Sequence, residues 1–186
     1  MVQLYAGLLL YGLSTACRIR ASLGLDPWGA FHEGVARRLG ISFGSSAFGV
    51  GALILLLWWP LRQKPGLGTI SNIVVIGWTT DLSLGFVPEI HGLMLRSVVL
   101  LTGIVMTGIA TSAYIGAGLG PGPRDGVMTG LASRLGRPVG PVRTGMELIV
   151  LACGWLLGGT VGAGTLVYAL MIGWVVQHML PALTLE

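Results

Sequence analysis

Apolar residues gather into six runs, at approximately Val2 to Arg18, Ser42 to Leu61, Gly66 to Val87, Leu93 to Ile115, Val139 to Leu157 and Ala163 to Leu183. Helical runs of about 17 to 25 residues span the roughly 30 Å hydrocarbon layer of a bilayer. The pattern therefore predicts an all-α, polytopic membrane helix bundle with six transmembrane helices. Two less apolar passages interrupt it, LGLDPWGAFHEGVARRLG from Leu23 to Gly40 and LGPGPRDGVMTGLASRLG from Leu119 to Gly136. Each predicts a short helix, over 26–39 and 123–135. Asp26 before Pro27 suits an N-cap followed by proline at the first helical position, Gly122 and Pro123 take the same places, and Gly40 and Gly136 are natural stops. About thirteen residues reach only about 20 Å, so two placements stand open: an amphipathic helix on the membrane surface, or a re-entrant half-helix pointing into a shared cavity.

The two passages resemble each other because the chain is duplicated. An offset of 96 positions pairs residues 2–82 with 98–178 without a gap, and 26 of the 81 pairs are identical. Among them are Gly7 with Gly103, Gly12 with Gly108, Pro27 with Pro123, Arg38 with Arg134, and Gly77-Trp78 with Gly173-Trp174. Repeats at a fixed offset mark repeated structural units. Each copy holds three predicted spans, and an odd number of crossings turns the second copy upside down. One membrane domain over 1–186, built as two inverted three-helix repeats, is thus expected. Many secondary transporters are so built, with the substrate site between the halves near the bilayer midplane; some channels and scaffolds share the arrangement.

Composition points the same way. Of 186 residues 53% are hydrophobic and 10% charged, and mean hydropathy is +0.82, far from the balance of a soluble domain. The first run lacks the basic start and A-x-A-like site of a signal peptide, so it reads as a mature span with a short polar head expected ahead of it. Thirty-one glycines suit close helix packing. Cys17 and Cys153 fall singly in predicted spans, as packing thiols. The net charge of +4 comes without a basic stripe interleaved with aromatics, which sets nucleic acid aside. The positive-inside rule does not decide orientation: one set of loops carries Arg18, Arg20, Arg37, Arg38 and Arg96, the other Arg62, Lys64, Arg124, Arg134, Arg137 and Arg143. A slight lean puts both termini in the cytoplasm.

Differences between the copies nominate chemistry. Arg143 and Glu147 are four apart on the fifth predicted span, where the first copy has Ala47 and Gly51. Glu147 falls roughly 12 Å inside that span by helix rise. A carboxylate at that depth is expensive unless paired or hydrated and marks a functional site by default; a structural i, i+4 ion pair is the competing reading. Arg124 and Asp125 replace Trp28 and Gly29, and His32 faces Met128. His32 could titrate near physiological pH or simply hydrogen-bond. Asp81, Gln177 and His178 lie near span ends and read as interfacial, and Trp58, Trp59, Trp155 and Trp174 as an aromatic belt or as packing. If both short helices are re-entrant, their positive ends converge on a place for an anionic or polar group. No enzyme, metal or cofactor signature stands out, with no G-x-S-x-G elbow, no H-E-x-x-H and no phosphate loop.

The pieces GLDPWGAFHEGVARRLGISFG, PGLGTISNIVVIG, GLGPGPRDGVMTGLASRLG and VRTGMELIVLACGWLLGGTVGAGTLVYALMIG resemble the YczE/YyaS/YitT family of bacterial integral membrane proteins. The resemblance covers nearly the whole chain. It rests on the D-P-W corner at Asp26 to Trp28, the G-P-R-D corner at Gly122 to Asp125, and the R-T-x-x-E at Arg143, Thr144 and Glu147. It implies a multi-pass plasma-membrane protein. Some relatives are associated with secondary-metabolite production, where export has been proposed.

The leading expectation is a small secondary transporter or exporter of an unknown small molecule, with membrane lipid and, through Gly154 to Gly158, a second copy of the chain as partners. Glu147 would bind a proton or cationic group. Arg143 and Arg124 would hold a negative group or tune that carboxylate, and Asp26 and Asp125 would shape the half-helix entrances. The alternative is a non-transporting scaffold for a biosynthetic or secretion partner, whose sign would be a sealed bundle.

Overall fold

The computed structural model describes residues 1–184. Among them are eight helices and no strand: α1 (Val2–Ala21), α2 (Pro27–Leu39), α3 (Phe43–Leu61), α4 (Leu67–Phe86), α5 (Leu93–Gly116), α6 (Pro123–Leu135), α7 (Val139–Leu156) and α8 (Ala163–Leu183). The short helices α2 and α6 start and stop where expected. The Asp26 carboxylate accepts from the Gly29 N–H at 3.2 Å, and Gly40 and Gly136 close the helices with φ of 65° and 60°.

Four helices, α3, α5, α7 and α8, are long and apolar enough to cross a membrane. The helices α1 and α4 have 20 residues each and fall outside that set; both carry polar groups that the bundle buries. These are Ser14, Thr15 and Arg18 on α1, and Thr69, Ser71, Thr79, Thr80 and Ser83 on α4. Serine and threonine of this kind bond back to helix carbonyls or across helices. Thr80 donates to Ile76 O, and Ser14 shares a 2.9 Å bond with Thr107 on α5.

The central pair is α1 and α5, brought close by glycine. A side chain added at Gly7 would lie 3.0 Å from Ala110 O, and one at Gly103 would lie 2.8 Å from Arg18 and 3.2 Å from Ser14 O. On one flank α4 packs on α1 where Gly12 meets Thr79; on the other α8 packs on α5 where Gly108 meets Val175. A second layer covers this row of four: α2 lies on α7 and α3, and α6 on α3 and α7. Trp58 is buried in that layer and donates its indole N–H to Pro123 O at 2.9 Å, whereas Trp59, Trp155 and Trp174 face outward.

Two clasps tie the loops together. Gly68 N–H donates to Leu119 O at 2.7 Å and Gly164 N–H to Leu23 O at 2.8 Å. The Thr69 hydroxyl donates to Pro121 O and the Thr165 hydroxyl to Leu25 O, both at 2.7 Å. The opposing loops turn at Gly24 and Gly120, with φ of 122° and 119°, a region that only glycine enters freely. The members of every one of these pairs of contacts stand 96 positions apart.

One pair of helices departs from that regularity. Along α4, α3 lies close, with Gly44 against Gly77; a Cβ on Gly44 would sit 2.2 Å from Gly77 O. The helix α7 stands away from α8, and among the described residues added side chains at Gly140 and Gly173 would meet nothing within 4 Å.

Candidate functional site

Position 18 lies near the end of α1 and position 26 caps α2, and the turn between them folds both inward. Arg18 is 1% exposed and Asp26 4%. The Arg18 guanidinium bonds the Asp26 carboxylate, donates to the Thr15 hydroxyl at 3.1 Å, and lies over the Tyr168 ring at 5.0 Å. From the other side Arg124, at the start of α6, brings Nη1 to 3.8 Å from Asp26 and donates through Nη2 to the Tyr11 hydroxyl at 2.8 Å. Burial pushes the Asp26 pKa up, but the Arg18 and Arg124 guanidiniums outweigh it and hold the carboxyl below the usual carboxylate range. Its neighbour on α6, Asp125, accepts from the Tyr114 hydroxyl at 3.4 Å.

This charged knot sits between two cavities. The smaller, about 90 Å³, lies on the α3–α4 side and is lined by Arg18, Asp26, His32 and Asn72 among others. The larger, about 270 Å³, opens where α7 stands off α8 and is lined by Asp125, Arg143, Glu147, Tyr168 and Gln177 among others. Trp28, Tyr114 and Arg124 line both and form the wall between them. Ten lining positions of the small cavity have their counterpart, 96 residues on, in the lining of the large one; Arg18 with Tyr114, Ala47 with Arg143 and Gly51 with Glu147 are three.

The six residues nominated from sequence thus fall around one partition. Asp26, His32 and Arg124 face the small cavity, and Arg124, Asp125, Arg143 and Glu147 the large one. Arg143 Nε donates to Glu147 Oε1 at 3.1 Å, and both side chains are open to the cavity, 57% and 40% exposed. His32 is wedged among Trp28, Phe31 and Phe43, and its Nδ1 has no hydrogen-bond partner among the described residues. Burial, against the pull of Asp26 and with the Arg124 guanidinium adding to it, pushes its pKa down to about 4.

The sequence pattern places Arg18 among the loop charges and does not single out Tyr11, Tyr114 or Tyr168. The signal was present: Arg18 pairs with Tyr114 across the offset and Tyr168 with Asn72, the kind of exchange that singled out Arg143 and Glu147. Asp81, read as interfacial, accepts from the Gly44 N–H at 2.8 Å across the α3–α4 seam. Within the stretch Gly154 to Gly158, Gly154 is already filled by Ala30 and Phe31 of α2.

Apolar helices around a buried ion pair and two cavities define a helical membrane protein. The chain belongs to a family of unknown function, DUF6198, whose profile matches residues 1–181. It is 35% identical over 173 residues to an uncharacterized protein of Haemophilus influenzae, covering 93% of this chain and 79% of that one. It is 33% identical over 179 residues to the uncharacterized membrane protein YczE of Bacillus subtilis, covering 95% and 83%. To the uncharacterized protein YyaS of the same bacterium it is 24% identical, covering 94% and 89%. No solved structure matches the chain.

Proposed function

We propose that the protein is a small secondary transporter of the plasma membrane, in which α1, α3, α4, α5, α7 and α8 all cross as two inverted halves and α2 and α6 dip in between. The observation that carries this reading is the pair of cavities lined by positions 96 residues apart and separated by a wall of Trp28, Tyr114 and Arg124. One cavity is pinched and the other wide, as alternating access around a fixed site requires of two inverted halves. A scaffold would gain nothing from charges facing a cavity, so the cavities favour transport over the scaffold reading.

The chemistry of the wide cavity bounds the solute. Arg124 and Arg143 balance Asp125 and Glu147 around it. A lone ion entering there would leave one wall charge uncompensated in a low-dielectric site, whereas a small molecule carrying both signs, or a neutral polar one, leaves the balance intact. Arg143 and Arg124 face its negative group, and Glu147 its cationic group or a coupling proton.

The test is a thermal-shift screen of the purified protein in detergent, against zwitterionic, anionic and cationic metabolites at two pH values, with Glu147→Gln alongside. A ligand selective for the folded state raises the melting temperature by mass action. The expected outcome is a zwitterionic or neutral hit that Glu147→Gln loses while its own melting temperature in the absence of ligand is unchanged. Hits that the variant binds as well as the parent would remove Glu147 from the site, and no hit at either pH would favour the scaffold.

A further inference from the structure

The α3–α4 seam is a template for a contact that α7 and α8 do not make. Gly44 and Gly77 let the two backbones touch, and Asp81, one turn beyond Gly77, accepts from the Gly44 N–H at 2.8 Å. That N–H belongs to the first turn of α3, where the helix itself supplies no partner. In the second half the equivalent positions are Gly140, Gly173 and Gln177. Both glycines are present, yet among the described residues an added Cβ at either would meet nothing within 4 Å. The helix α7 begins after Pro138 with no side-chain cap, and Gly173 and Gln177 line the wide cavity. Gly140 and Gly173 thus keep the two small positions, and Gln177 the acceptor, of a contact that the first half makes and this arrangement does not.

We propose that α7 swings onto α8 until Gly140 meets Gly173, with the Gln177 side-chain oxygen accepting from the Gly140 N–H, and that this contact closes the wide cavity over its ligand. Glutamine has one more methylene than aspartate and carries an amide oxygen, so it reaches the same donor while adding no charge beside Glu147. The C-terminal part of α7 is held on α2 at Gly154 and Leu157, whereas added side chains at Gly140 and Gly145 would meet nothing within 4 Å among the described residues, so the swing is one of its N-terminal part. The proposal rests on the two-half reading above but not on transport: closure without flux would leave it standing and remove the transporter.

The experiment uses the full chain in membranes, with Cys17 and Cys153 replaced by serine, carrying Gly140→Cys and Gly173→Cys. The control pair is Gly145→Cys with Gly173→Cys. Position 145 matches Gly49, which meets nothing even along the closed seam, so it does not turn toward α8 on closure. Disulfide formation at least about tenfold faster for the 140–173 pair, slowed several-fold by Gln177→Leu, is expected. Equal rates for the two pairs would overturn the proposal. A second measurement is independent of the disulfide: Gly173→Leu, which the observed arrangement accommodates, is expected to raise the alkylation rate of Glu147→Cys by a water-soluble maleimide several-fold by holding the cavity open. An unchanged rate would overturn closure by this contact.

Discussion

The α3–α4 and α7–α8 seams share their glycines and differ in what lies beside them. Along α3 the inward positions are Ala47 and Gly51, and Gly51 lets Ile73 come within 3.0 Å of where its Cβ would be. Along α7 the same positions are Arg143 and Glu147. Bringing α7 onto α8 would take both charges out of water, and desolvating an ion pair in a low-dielectric site costs several kcal/mol per ion before their mutual attraction offsets it. Identical small-residue patterns therefore give a closed seam where the flanking face is flat and apolar, and an open one where it is charged. A solute that supplies the complementary charges reduces that desolvation, which links occupancy of the wide cavity to its closure.

The comparison extends to the partition, where it is sharpest at Arg18 and Tyr114. Arg18 is buried with Asp26, while Tyr114 in the matching place makes only a 3.4 Å bond to Asp125. Removing one partner of a buried ion pair leaves an uncompensated charge, at about 3–5 kcal/mol. Arg18→Leu is expected to lose that much in denaturant unfolding or fail to assemble, whereas Tyr114→Phe should cost about 1 kcal/mol or less. Equal losses at the two positions would mean that the knot is held by its tyrosines as much as by its ion pair.

A smaller effect separates the seams directly. Gly44→Val forces its Cβ against the Gly77 carbonyl and the Asp81 carboxylate and should cost about 3 kcal/mol by overpacking. Gly140→Val, at the matching position, meets nothing within 4 Å and should change thermal stability by less than about 0.5 kcal/mol. If Gly140→Val proves as damaging as Gly44→Val, the α7–α8 seam is closed in most of the molecules and the wide cavity is the minor form.

Much of this was legible before the structure. Asp26, Gly40 and Gly136 fix the ends of α2 and α6 by local capping chemistry, which sequence reports well. The charge exchanges at 28/124, 29/125, 47/143 and 51/147 pointed to residues that line the cavities. Arg18 was illegible because a basic residue at the end of an apolar run looks the same whether it snorkels to a headgroup or turns inward to a carboxylate eight residues on. Hydropathy likewise averages a helix all round, and does not show that Thr79, Thr80 and Ser83 of α4 face protein. The open seam was hidden for a different reason. Its glycines match those of the closed one, and only the third dimension distinguishes a contact made from one in waiting.

The smallest expected difference concerns the clasps, which the asymmetry of the seams does not reach. Thr69 and Thr165 each donate to a loop carbonyl of the opposite half at 2.7 Å, and each accepts from the glycine N–H three residues earlier, at 3.2 Å and 3.3 Å. Replacing either threonine by valine keeps its shape and strands the same two backbone groups, at about 1–3 kcal/mol. Thr69→Val and Thr165→Val should therefore destabilise equally within about 0.5 kcal/mol, and the double variant should lose the sum, as distant sites do. Because α4 leans on α3 while α8 has no such support, an unequal pair of values, larger at Thr165, would show that seam and clasp are one mechanical unit. Equal and additive values would make the clasps fixed hinges, with α7 the element that moves.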